Sequence, residues 1–385
     1  MRKSGLKEVN GDGCFPLFLR RMLKLLDNYI LKKFLGTFVF TMLVITVIAV
    51  VIDTSEKADD FVRSGLSAGQ LIMVYYIGFI PFIMSMIYPL MVFIAVIYFN
   101  SKMAGKSEII AILAGGVRYN RFLRPYLIGA VFLALIFWLA SQYWVPRANE
   151  IRTDFQAVYV DRNSSYNGDP YRTNNYYLRV DANTFVGFRY YDTVNKSASN
   201  FFLQKLKGNK VNYNVRAETV RWDPNKKDWK LTGVMVRTID GIKETLKKQD
   251  SMHVNLNVQP RELRRDDYLK DKLTTPELHQ FIHMEEVRGS EGLNTFKVEL
   301  YHRDATPFSV IIMALIGAII SSRKIRGGSG VHLAVGIVLA AIFVVMDKFA
   351  VTFSTKGNLP PMLAAWLPNI IFTGVMGILY VKTPK

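Results

Sequence analysis

Few residues in this chain have the types and spacing that chemistry needs. Gly105-Lys106-Ser107 reads like the tail of a phosphate-binding loop, which requires a glycine five residues before its last glycine and a buried strand in front. Position 100 is Asn100 and an apolar run precedes it, so a nucleotide site is excluded there. Gly327-Gly328-Ser329-Gly330 fails the same test and reads as a flexible turn. His279 and His283 stand four apart with Glu286 one turn on; the spacing suits a metal pair, but equally any polar helix face, and without a third ligand no metal site is expected. The single cysteine, Cys14, rules out a disulfide framework and a thiolate-built metal centre. Asp347 and Lys348 close an apolar run. At a bilayer centre such a charge would cost about 2.5 to 3.5 kcal/mol and mark function, whereas at a span end the cost largely disappears; both readings stand. No catalytic set remains, and neither an enzyme nor a cofactor is expected.

One segment offers mechanics in place of chemistry. The run Glu108-Ile109-Ile110-Ala111-Ile112-Leu113-Ala114 is helical and apolar, ends at Gly115-Gly116, and is bracketed by Lys102, Lys106, Arg118, Arg121 and Arg124. Such a helix lies on a membrane surface or in the groove of another protein. It either anchors its loop or, over about residues 105–117, couples to a cytoplasmic partner through Glu108.

The elements around these residues follow from composition. Of 385 residues, 50% are hydrophobic and 21% charged, with 25 Phe, 19 Tyr and 15 Met, so the net charge of +18 does not signal disorder. The apolar residues come in runs at about 34–52, 71–99, 125–145, 305–322, 331–349 and 359–381. A hydrocarbon core about 30 Å thick needs roughly 20 apolar helical residues, so the sequence predicts six spans. Pro81 and Pro89 should kink or tilt the second.

Basic loops stay cytoplasmic. The N-terminal segment, the loops after spans two and four, and the tail carry eighteen Lys and Arg, whereas the opposite short loops hold Lys57, Arg63 and Lys356 beside Asp53, Glu56, Asp59 and Asp60. The expected organisation is a cytoplasmic segment 1–33, spans one to three over 34–145, an extracytoplasmic block 146–304, and spans four to six over 305–385, with both termini cytoplasmic and no cleaved signal peptide. The excess charge is then a topology signal, and no nucleic-acid partner is expected.

The block 146–304 changes periodicity. Val211, Tyr213 and Val215 alternate with Asn212, Asn214 and Arg216, and Met252, Val254, Leu256 and Val258 alternate with polar neighbours. Period two predicts half-buried strands. Further strands are expected at 176–180, 184–191, 201–206, 218–222 and 229–238, with a hairpin loop at 223–228 and a helix starting at Thr275-Pro276-Glu277. Seven or eight short strands predict an antiparallel sandwich or jelly roll. It is either a spacer or a sheet whose edge adds a partner strand. The fold class expected is an α-helical membrane protein with six transmembrane helices and an inserted antiparallel β jelly-roll-like extracytoplasmic domain.

Taken together, Leu26-Asp27-Asn28-Tyr29-Ile30, Ser107 to Val117, Arg303-Asp304-Ala305-Thr306-Pro307-Phe308-Ser309, Met346-Asp347-Lys348-Phe349, Leu359-Pro360-Pro361 and Trp366-Leu367-Pro368 carry a resemblance. The chain resembles the LptF/LptG permeases, membrane subunits of the lipopolysaccharide-exporting ABC transporter, from about Leu25 to the C-terminus, and its Leu-Asp-x-Tyr-Ile start is more similar to the LptG branch. The resemblance implies an inner-membrane protein that extracts lipopolysaccharide. It implies a coupling helix in which Glu108, with Ile109, Ile112 and Arg118, meets the cytoplasmic ATPase LptB. It further implies lateral gates in spans one and five, a second permease subunit (LptF or LptG), and a periplasmic jelly roll that passes lipid to LptC and the LptA bridge. Lipid-binding or gate candidates by that resemblance are Lys57, Arg63, Arg303, Asp347 and Lys348. One departure is local: family members place several lysines at the outer end of span one, whereas here Lys57 stands beside Asp59 and Asp60.

Two other classes compete. A secondary transporter of two three-span repeats would show polar breaks paired across its halves, and Pro81 and Pro89 have no counterpart in spans four to six. A membrane-anchored assembly or sensor protein whose β domain binds a partner would leave the Glu108 helix without a task.

Overall fold

A backbone deprived of water must satisfy its own N–H and C=O groups, which turns long apolar runs into helices. The computed structural model describes residues 25–160, 172–173, 176–181, 183–192, 195–208, 210–241, 243–256, 260, 268–288, 292–323 and 329–383. Cys14, Val258 and Gly327-Gly328 lie outside the described residues. Among the described residues, six helices are long and apolar enough to cross a membrane: α1 (Leu25–Glu56), α3 (Ala68–Gly105), α5 (Tyr119–Phe155), α8 (Leu293–Ser321), α9 (Ser329–Lys356) and α10 (Pro361–Val381). Short helices α2 (Ala58–Ser64), α4 (Glu108–Ala114), α6 (Leu269–Lys272) and α7 (Thr275–Arg288) join them.

The apolar runs give the middles of these helices and not their ends. Helix α5 continues ten residues past the expected boundary at 145, because Asn149, Arg152 and Thr153 are buried against neighbours. Helix α8 starts twelve residues before 305, running through Glu299, Arg303 and Asp304, whose charges are paired or hydrogen-bonded. Pro81 and Pro89 lie inside the helical part Ile77–Gly105 of α3, and π-helical turns at Ile72–Tyr76 and Ala140–Trp144 widen α3 and α5 locally.

The main core packs Ile30 and Phe34 of α1, Val92 and Val96 of α3, Tyr126 and Ala130 of α5, and Val310 and Ala314 of α8. Backbones approach closely where α3 meets the end of α5: a Cβ on Gly78 would stand 2.7 Å from the Arg152 amide nitrogen, so no larger residue fits there. The most apolar stretch of α8 is 67% buried, against 11% for α1 and 22% for α9. Helix α8 is thus the central post, and α1 and α9 present uncovered apolar faces, including Val47 and Val51 on one and Ile342 and Val345 on the other.

Seven strands form one antiparallel sheet: β1 (Arg172–Thr173), β2 (Tyr176–Asp181), β3 (Thr184–Asp192), β4 (Ser197–Lys207), β5 (Lys210–Asp223), β6 (Asp228–Asp240) and β7 (Lys243–Val254). From β3 to β7 each strand pairs with the next, while β1 and β2 both lie along β3. The described strands are therefore a meander, and the crossovers that define a jelly roll are not among them. The strand readings at 211–215 and 218–222 merge into β5, and the 223–228 loop is the β5–β6 hairpin. Val186, Phe201, Leu203, Val215, Trp229, Leu231 and Val234 form the core of this domain. Strand β7 pairs with β6 alone among the described residues and exposes nearly all its side chains.

Candidate functional site

Three places bring the candidate residues together. At one end of the bundle, the chain leaves α3 at Gly105, turns through Ser107 with a left-handed φ of 61°, and enters α4. Gly105-Lys106-Ser107 thus joins two helices, as the exclusion of a phosphate loop requires. Ile109 is fully buried in the main core and Ile112 packs against it, while Glu108 is half-buried and Ile110, Ala111 and Ala114 face outward. Ile109 therefore acts as an anchor and offers no contact surface; the outward residues, above all Ile110, are ones that sequence reasoning passed over. Arg118 is exposed and caps α5, accepting the Phe122 amide on its carbonyl at 3.2 Å. Beneath this turn the Asn100 amide donates to the Ala318 carbonyl at 2.9 Å and to Ser321 Oγ at 3.0 Å.

At the opposite end, α1 is tied to α3. Lys57 Nζ lies 2.8 Å from Asp53 Oδ1 and also donates to the Tyr75 hydroxyl, which itself donates to Asp53 at 3.0 Å. Lys57, which directly follows α1, is thus held by protein groups. Arg63, in the last turn of α2, and Asp59 are exposed, and Asp60 is half-buried.

The third place is a cavity of about 440 Å³ between α3, α5, α6, α8 and α9. Its inner wall is apolar, with Met86, Leu90, Phe137, Met313 and Phe343. Its polar lining comprises Asn149, Asp271, Glu299, His302, Arg303, Asp347 and Lys348. Arg303 is 6% exposed and fully engaged: it donates to the carbonyls of Leu273 (2.9 Å) and Lys270 (3.1 Å), to Thr275 Oγ1 (3.2 Å) and to Glu299 (3.1 Å). It therefore staples α8 to the α6–α7 connection. Asp347 meets His302 at 2.7 Å, a partner that sequence reasoning missed, and Lys348 beside it is exposed. Burial first, then the Glu299 carboxylate, pushes Asp271 up to about 6, against the pull of Lys270, Arg152 and Arg303. The Asn149 Oδ1 acceptor, in a residue 5% exposed, has no hydrogen-bond partner among the described residues.

The remaining candidates stay apart. His279 and His283 lie exposed on α7, and Glu286 pairs with Lys297 at 2.7 Å, which holds its carboxyl below the usual range. Among the described residues, Asp223, Asp228 and His253 bring ligand-type atoms within 4.8 Å of one another at the β5–β6 hairpin. Two of these are already engaged with each other, His253 Nδ1 to Asp228 at 2.9 Å, and Asp223 takes the Asn225 amide at 3.0 Å.

A cavity with apolar walls and polar groups in its lining can hold an amphiphile. The sequence matches the family described as "Lipopolysaccharide export system permease LptF/LptG" over residues 28–382. No curated protein matches the chain.

Proposed function

The chain belongs to the LptF/LptG family of lipopolysaccharide export permeases, and from that premise we propose that it is the permease subunit of an ABC transporter that extracts lipopolysaccharide from the inner membrane. Its termini lie in the cytoplasm, and its β domain, a jelly roll in this reading, passes lipid in the periplasm to LptC and the LptA bridge. A second permease subunit completes the chamber by covering the bare faces of α1 and α9. The Leu26-Asp27-Asn28-Tyr29-Ile30 start favours the LptG branch, with LptF as the partner.

The observation that carries this reading is the split of α4. Ile109 locks one face of the helix into the same core that holds α1, α3, α5 and α8, while Ile110 looks outward and Glu108 is half-buried. A push on that outer face is delivered directly to the bundle. A multi-acyl lipid hides its chains at roughly 0.8 kcal/mol per CH₂, so moving it through water is prohibitive without external work. The chain contributes no nucleotide site in this reading, and the work comes from LptB docking on α4.

Purification of the full chain in mild detergent, followed by mass spectrometry, tests the proposal. A stoichiometric P-loop ATPase should copurify with the wild-type chain and be lost with Glu108→Arg. A chain that captures no ATPase, together with unchanged surface lipid in Glu108→Arg cells, sinks it.

A further inference from the structure

Three side chains meet on one face of the β domain, where the β5–β6 hairpin lies beside the end of β7. Asp223 and Asp228 are directly opposite each other across that hairpin, and His253 of β7 is opposite Lys230, two residues on from Asp228. Side chains two apart on a strand share a face, as do those of paired residues, so the ladder sets all three on the same side. One ligand-type atom from each lies within 4.8 Å of the other two, and His253 Nδ1 stands 2.9 Å from Asp228 Oδ1. On the opposite face Trp222 and Trp229, the next cross-strand pair, pack edge to face with ring centroids 5.2 Å apart, and Trp229 is buried. The backbone that carries the two carboxylates is therefore firmly held.

Like charges directly opposite on paired strands destabilise a sheet. Among the described residues neither carboxylate forms an ion pair with a Lys or Arg, although Lys226 and Lys227 lie exposed in the same turn. Asp223 takes the Asn225 amide on Oδ1 at 3.0 Å and keeps its second oxygen for another group. We propose that Asp223, Asp228 and His253 bind a divalent transition-metal ion of the zinc type, and that this ion clamps the end of β7 to the β5–β6 hairpin.

The donor set selects the ion. An imidazole nitrogen favours zinc and its neighbours over calcium or magnesium, which prefer shells of oxygen alone, and with no thiolate among the three ligands nothing favours copper(I). Zinc holds nitrogen and carboxylate oxygen at about 2.0 to 2.2 Å, so neighbouring ligands of a tetrahedral ion stand about 3.4 Å apart. His253 and Asp228 are within that spacing, and Asp223, at the hairpin end, closes the remaining gap by side-chain torsion. With Nδ1 on the ion, the neutral ring carries its hydrogen on Nε2. Three protein ligands leave a fourth position to water. Strand β7 pairs with β6 alone among the described residues, and an ion shared by three strands ties it to β5 as well. The site belongs to the β domain and stands whether or not the permease reading holds.

The test uses the full chain in nanodiscs, without an affinity tag and stripped by a chelator, with the zinc ion itself as the probe. Calorimetry should find a site that His253→Ala or Asp228→Asn weakens at least about a hundredfold, since even the outer-shell partners of a metal ligand are worth about 10- to 100-fold. Hydrogen exchange gives its location. Zinc at about ten times its Kd should slow opening of the strand ends at 221–223, 228–230 and 252–254 about elevenfold, because an ion that binds only the closed ladder lowers opening by one plus the ratio of free zinc to Kd. Calcium should leave exchange unchanged, and His279→Ala, on the separate helix α7, should leave the zinc response as in wild type. His253→Gln, which keeps bulk and polarity at an exposed position, should lose the response with the ion-free thermal midpoint intact. Wild-type exchange that ignores zinc, slowing that survives His253→Ala and His253→Gln, or an equal response to calcium overturns the site. Failure to capture an ATPase would overturn the permease reading and leave these measurements untouched, so the two failures are told apart.

Discussion

Tyr126 of α5 donates its hydroxyl to Asn100 Oδ1 of α3 at 2.8 Å, and both side chains are fully buried. Since the Asn100 amide reaches α8 through Ala318 and Ser321, this one residue joins three spans in the half of the bundle that carries α4. In an apolar interior each of these bonds is costly to leave half-made. Tyr126→Phe should therefore destabilise the chain by about 1 to 3 kcal/mol, read as a lower thermal midpoint in detergent. Asn100→Leu, which removes both partners at once but leaves the Tyr126 hydroxyl stranded, should be no better tolerated.

Two neighbouring isoleucines of α4 should separate anchoring from docking. Ile109→Asp places a charge in the core and should prevent accumulation of folded protein, whereas Ile110→Asp changes an exposed position and should leave the stability, read from the thermal midpoint, within about 0.5 kcal/mol of wild type. In the permease reading Ile110→Asp should still weaken capture of the ATPase, measured by pull-down. Equal effects of the two variants on the midpoint would show that both sit in the core.

Arg303 should resist even conservative change. Lysine keeps the charge but cannot fork to the Leu273 and Lys270 carbonyls and Glu299 together. Arg303→Lys should cost about 2 to 4 kcal/mol, because buried acceptors lose their donors. Limited proteolysis should then begin near the α6–α7 connection before the rest of the chain is cut.

Asp271 supplies a pH dependence with a definite sign. Its folded value, about 6, lies above the ordinary carboxylate value of about 3.9 that holds in the unfolded chain. The folded state therefore binds the proton more tightly, and the contribution is fully present below about pH 4 and is lost as pH rises through about 6. Asp271→Asn keeps a neutral side chain throughout. Its thermal midpoint relative to wild type should climb by a few degrees from pH 4 to pH 7 and then level off, and a flat difference would place Asp271 in solvent.

The absence of charge made the six spans legible, because water-free helices tolerate few unpaired ions. Their ends were not legible for the same reason: Arg152, Glu299 and Arg303 read as loop residues until their partners are seen, one of those of Arg303 lying 33 residues away. The alternation of Val211 to Val215 and Met252 to Val254 gave strands, but the Lys243 to Asp250 stretch has no buried face and so no alternation to read. In α4 the periodicity was clear, yet it could not say whether Ile109 or Ile110 faced inward. His302 left no local trace, since the carboxylate that gives it meaning lies forty-five residues away.

Strand β7 carries one further consequence. An unpaired strand edge is a template for any extended peptide, and long apolar edges lead to aggregation. Here the edge bears Lys243, Glu244, Lys247, Lys248 and Asp250, all exposed, with Leu246 the one large apolar side chain among them. Among the described residues the edge of β7 is open, and its charges discourage indiscriminate growth of the sheet.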